Sequence, residues 1–121
     1  MEKYMVIEPS GDIRWIEIQR ENMLQEFRKV IGCDCLEQVR TIVRGVCLIV
    51  DESGKIKDPP QQHNEIASLL YLGYILGNDD IAGPAVLVSI GLVDGEPDWV
   101  PLNARELQRL RAMGLRVTSH D

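Results

Sequence analysis

The sequence predicts an α+β fold: a mainly antiparallel sheet with about three helices packed on it. Three observations predict it. Short apolar runs rich in Val and Ile lie between Gly, Pro and Asp turn clusters, as strands do. Three other segments place apolar residues at helical spacing, each with an asparagine before it and a glycine at its end. The resulting order is β-β-α-β-β-α-β-β-α, a mixture of hairpins and helices.

Residues 4–8 read as a strand, 9–12 as a Pro-Ser-Gly-Asp turn, and 13–18 as a returning strand. Trp15 and Ile16 point to opposite faces and both are apolar, so this hairpin is either covered on both faces or meets a partner. The first helix has Asn22 as cap, Gln25 at the third helical position, a stripe of Leu24, Phe27, Val30 and Ile31, and Gly32 as its stop. Residues 36–43 form the next strand. Val46-Cys47-Leu48-Ile49-Val50 is short, continuous and β-branched, as a central buried strand should be, and Asp51-Glu52-Ser53-Gly54 turns the chain. A second helix starts at Asn64, after Pro59-Pro60, carries Ile66, Leu69, Leu70 and Tyr74, and ends at Gly73 or Gly77. Residues 85–90 are another strand. Asp94-Gly95-Glu96-Pro97 is a turn before an edge strand at 98–102. Asn103 with Glu106 suggests a capping box for a last helix of Leu107, Leu110 and Met113, stopped by Gly114, with a small strand at 115–117.

The 121 residues fit one domain, 1–121, and 45% hydrophobic with 26% charged content is ordinary for a globular chain. The net charge of -6 disfavours general nucleic-acid binding, which needs a basic face. That charge is uneven. Residues 51–98 carry nine acids against Lys55 and Lys57, whereas 99–121 carry four arginines against Glu106 and Asp121. An acidic middle and a basic end can pair within one fold or between two copies. Met1-Glu2-Lys3 runs straight into a strand-like segment without the apolar stretch of a secretory signal. No run reaches the ~18 apolar residues of a membrane span. Cys33, Cys35 and Cys47 are therefore expected as free thiols in a reducing cytoplasm.

One stretch carries a resemblance. Leu48-Ile49-Val50-Asp51-Glu52-Ser53-Gly54-Lys55-Ile56-Lys57 is followed by a proline pair, Asn64, Ala67-Ser68-Leu69 and Asp80-Ile81-Ala82-Gly83-Pro84-Ala85. It resembles a small family known as domain of unknown function 3846, whose members appear in bacteria, plasmids and phages. The similarity covers roughly residues 4–102, although Gly32-Cys33 stands where members often have Gly-Gly. It implies a compact α+β domain carried on mobile elements. It implies no reaction, so no catalytic residue transfers.

Four groups of residues bear on function. Gln61-Gln62-His63-Asn64-Glu65 lies at a helix start, where free N–H groups favour an anion, with His63 and Asn64 as side-chain donors. Arg105, Arg109, Arg111 and Arg116 cluster at the end, and Arg105 and Arg109 share a helix face, as a phosphate clamp requires. Asp51 and Glu52, with Asp79, Asp80 and His63, supply oxygen and nitrogen ligands if their loops meet. Cys33, Cys35, Cys47 and His63 are a poor match to zinc spacing, and buried inert thiols account for the cysteines more simply. No glycine-rich phosphate loop is present, and no cofactor or resident metal is expected. The leading expectation is a non-enzymatic binding module, working as a homo-oligomer, that holds a small anionic or nucleotide-like ligand or a host protein. Its ligand residues are His63, Asn64, Arg105 and Arg109. A 13.7 kDa chain has little room for a deep pocket within one copy. A metal-dependent hydrolase on the acidic loops and an acidic nucleic-acid mimic are the alternatives.

Overall fold

Strand alternation divides the apolar side chains of the sheet between two cores, one on each face. The computed structural model describes residues 1–77 and 79–117. Six strands are β1 (Glu2–Ile7), β2 (Ile13–Ile18), β3 (Leu36–Arg40), β4 (Val46–Asp51), β5 (Ala85–Val93) and β6 (Glu96–Val100). They pair antiparallel throughout, in the order β2-β1-β5-β4-β3, with β6 on the far end of β5. Met5, Ile7, Leu48 and Leu87 face one way and meet helices α2 (Glu65–Leu70) and α4 (Ala104–Ala112) through Ala67, Leu70 and Leu110. Tyr4, Val6, Ile49 and Val86 face the other way and meet α1 (Met23–Ile31) through Phe27 and Ile31. Because β1, β4 and β5 are buried on both faces, their apolar runs are continuous rather than alternating. The same arrangement settles the first hairpin. Trp15 packs on one core and Ile16 on the other, so both its faces are covered.

Among the described residues the α-helices number four, not about three. The segment expected as one middle helix divides at Tyr71, which leaves helical geometry at φ -72° and ψ 122°, so α2 is followed by a single-turn α3 (Leu72–Ile75). Tyr71 instead makes a strand-like bridge to Thr41. Its ring lies so close to Gly73 that a Cβ there would overlap it. Gly73 thus accommodates the break rather than ending a helix.

Other expectations need correction. Asn22 makes no side-chain cap; a 3-10 turn at Arg20–Asn22 leads into α1, Met23 is buried in place of Leu24, and Leu24 is 50% exposed. The strand expected to reach Val43 ends at Arg40. There the Thr41 hydroxyl donates to Val46 O (2.8 Å) and accepts from Val43 N (3.1 Å), closing a tight turn. The turn before β6 is only Asp94-Gly95. Both take positive φ (52° and 81°), the geometry of a two-residue hairpin whose twist matches the strands. β5 and β6 are therefore longer on that side than the turn cluster suggested. Residues 115–117 are not a strand. The Asn103–Glu106 capping box is present as expected. Among the described residues no helix is long and apolar enough to cross a membrane.

Candidate functional site

Arg105 and Arg109 lie one turn apart on α4 and open onto a surface cleft of about 250 Å³. Arg44, from the turn between β3 and β4, completes its cationic lining, with Asn103 and Glu106. All three arginines are exposed and none has an ion pair among the described residues. Half of the ten other lysines and arginines, Lys3, Arg14, Arg20, Lys55 and Lys57, each pair with a carboxylate. Glu106 is the exception to the positive lining. It is buried, its Oε1 accepts from Asn103 N (2.9 Å) and its Oε2 accepts from the Ser89 hydroxyl (2.9 Å). These bonds fix the start of α4 against β5 and so aim Arg105 and Arg109. Arg44 has no sequence signal; only the packing of its turn beside β5 brings it there, through Ile90 N donating to Gly45 O.

His63 and Asn64 do not line that cleft. Asn64 is fully buried and spent on the fold. Its amide donates to Ile7 O and Gly83 O (2.9 Å each), and its Oδ1 accepts from Ala67 N (3.1 Å). This capping leaves it nothing to offer a ligand. His63 is exposed between two carboxylates, with Asp80 Oδ2 2.9 Å from Nδ1 and Glu65 Oε2 2.8 Å from Nε2. Glu65 and then Asp80 raise its pKa above the ordinary value, against a smaller effect of desolvation. An imidazolium so flanked is neutralised locally, which makes the spot unwelcoming to an anion.

The two acidic loops do meet, but around a lysine. Lys55 Nζ contacts Asp79 and Asp80 Oδ1 (3.3 Å) and donates to Asp80 O (3.1 Å). Burial disfavours the ammonium, yet the two aspartates outweigh that and raise its pKa. Asp51 turns elsewhere. Its side chain is 1% exposed and accepts from Lys57 Nζ (2.5 Å), Gln61 Nε2 (2.7 Å) and Ser53 N (2.9 Å). Burial pushes that carboxyl up, but those three donors hold it below its ordinary value. Asp79 and Asp80 thus share Lys55, Asp80 also meets His63, and Asp51 is held apart from them by Lys57, Gln61 and Ser53. Among the described residues no three His, Cys, Asp or Glu side chains converge as metal ligands. The cysteines diverge too. Residues 33–35 precede β3 rather than lying in it, leaving Cys33 buried and Cys35 exposed; burial raises the Cys33 and Cys47 thiols.

Fold and site together define a class: an antiparallel α+β protein, helices on both faces of a six-stranded sheet, with an arginine-lined surface cleft. The family model described as domain of unknown function (DUF3846) matches residues 1–114, and the chain belongs to that family. Neither a curated protein nor a solved structure matches it.

Proposed function

We propose that residues 1–121 act as one non-enzymatic binding module, of the kind carried by phages and plasmids, that holds a small anionic, nucleotide-like ligand at Arg44, Arg105 and Arg109. The observation that carries this reading is the convergence of three guanidinium groups without a carboxylate partner among the described residues, in a chain of net charge -6. Arginines left unpaired while acids outnumber bases are placed for something outside the protomer. Guanidinium forks match phosphate oxygens two at a time, and three of them suit a polyanion. The cleft is open and smaller than the usual ~300–1,000 Å³ ligand pocket. A second copy supplies the missing wall, so the module works as a homo-oligomer, in the cytoplasm and without a cofactor.

Calorimetric titration of the full chain with ADP at low salt tests the reading. Saturable binding is expected, weakening as salt rises and lost in the Arg105→Ala/Arg109→Ala variant with its circular dichroism unchanged. Equal ADP binding by both proteins, or none by either, overturns the site. A monodisperse monomer at micromolar concentration in light scattering overturns the oligomer.

A further inference from the structure

The turn after β1, helix α2 and the end of α4 enclose a second concave space, a groove of about 400 Å³. It shares no residue with the arginine cleft. Leu70 is its buried floor, and Ile13, Ile66 and Leu115 are walls already leaning on the core. Leu69 and Met113 complete it, 48% and 47% exposed; Leu69 stands between the buried Ser68 and Leu70, and Met113 caps the end of α4. The course of the chain makes the groove. After α4, Leu115 N donates back to Leu110 O (3.0 Å), folding Leu115 over the core and delivering Arg116 to the rim. Arg116 is the one charged side chain lining the groove among the described residues, and it has no ion pair there. Concave, mostly apolar sites of this volume with one or two placed polar groups are the general form of small-molecule sites.

We infer that this groove is a binding site for an apolar-bodied monoanion, such as a medium-chain aliphatic carboxylate. The apolar body lies on Ile66, Leu69 and Met113, and the carboxylate meets the Arg116 guanidinium. Charge decides the occupant. A single cation at the rim selects one negative charge, and a cationic or uncharged amphiphile gains only the apolar contact. The three-arginine cleft, by contrast, suits a polyanion.

The test is amide NMR of the full chain titrated with sodium decanoate below its micelle concentration, beside decanol and decyltrimethylammonium. Saturable shifts are expected at Gly11, Leu69, Gly114 and Arg116. Arg116→Ala is expected to weaken decanoate about tenfold while leaving decanol unchanged, the scale of one charge-assisted contact. Leu69→Glu, at a half-exposed position, is expected to remove both; Met113→Glu serves if that variant does not fold. Decyltrimethylammonium binding as tightly as decanoate, no effect of Arg116→Ala, or no saturable shift at these residues overturns the proposal.

Discussion

The indole N–H of Trp99 on β6 donates to Gln38 Oε1 on β3, 2.6 Å away across the face that α1 covers. The Trp99 ring also stacks on Phe27 of α1, centroids 5.9 Å apart. One side chain thus ties an edge hairpin to a strand at the opposite side of the sheet and to the helix between. The backbone of Trp99 is closed as well: its N–H donates to Asp98 Oδ1 (2.7 Å) and its C=O accepts from Arg20 (2.6 Å). With Pro97 beside it lacking an N–H, the outer edge of β6 offers little to another strand.

Gln38→Ala removes the acceptor and leaves the indole N–H without a protein partner. The expected loss is about 1 kcal/mol in urea unfolding, the usual net value of one such bond. Gln38→Glu keeps an acceptor and should recover most of it. Equal losses in the two variants would show that packing at position 38, not the bond, is what matters.

Asn64→Ala should be far more costly. It removes the cap on α2 and leaves Ile7 O and Gly83 O without their donor in the interior. A lost cap and two unsatisfied carbonyls total about 3 kcal/mol. Asn64→Asp keeps the acceptor for Ala67 N but cannot donate, and it buries a charge. A wild-type melting temperature for Asn64→Asp would refute this account.

That contrast explains how much the sequence disclosed. Caps, stops and buried central strands were legible because Asn103, Glu106, Gly32 and the run at 46–50 act through nearest neighbours. Asn64 was legible as a helix start for the same reason, but not as the pin joining β1 to the 83 loop. Those bonds reach 57 and 19 residues along the chain. The Tyr71 break has no local signal, because it depends on a bridge to Thr41. In the cleft, Arg105 and Arg109 follow from helical spacing, while Arg44 follows only from tertiary packing. His63 had the right chemistry for an anion, but Asp80, brought back from 17 residues away, reverses its surroundings.

Lys57→Met tests the loop built on Asp51. The variant leaves the buried carboxylate with Gln61 and Ser53 N as donors, so its pKa should rise, and stability at neutral pH should fall. In the wild type the folded-state pKa of Asp51 lies below its ordinary 3.8. Its contribution is therefore complete above that value and lost as pH falls through the lower, folded-state one. Stability measured against pH should decline later on acidification in the wild type than in Lys57→Met. Superimposable profiles would remove Lys57 from the account.

His63 makes the opposite prediction at higher pH. Its pKa in the fold is above the ordinary 6.5, so its link to Asp80 and Glu65 is complete below 6.5 and disappears as pH rises through the elevated value. Imidazole NMR titration should show that elevation, and Asp80→Asn should reduce it. The exposed site makes the effect local, read as amide shifts at 63–65 and 80–82 rather than as a change in melting temperature. A His63 titration unchanged by Asp80→Asn would show that the pair does not persist in solution.

Glu106→Gln separates the structural part of the cleft from its electrostatics. The amide oxygen can accept from Asn103 N, and the amide nitrogen can donate to the Ser89 oxygen, so the bonds that hold α4 on β5 remain. Thermal unfolding should change by less than about 1 kcal/mol. The charge beside Arg44, Arg105 and Arg109 nevertheless becomes one unit more positive. ADP affinity should then rise about two- to fivefold at low salt, with the gain shrinking as ionic strength increases, because charges several ångströms apart near the surface are screened. Weaker ADP binding with an unchanged fold would mean that the Glu106 carboxylate itself receives the ligand, through a hydroxyl or amino group, and that the three arginines are not the whole of the site.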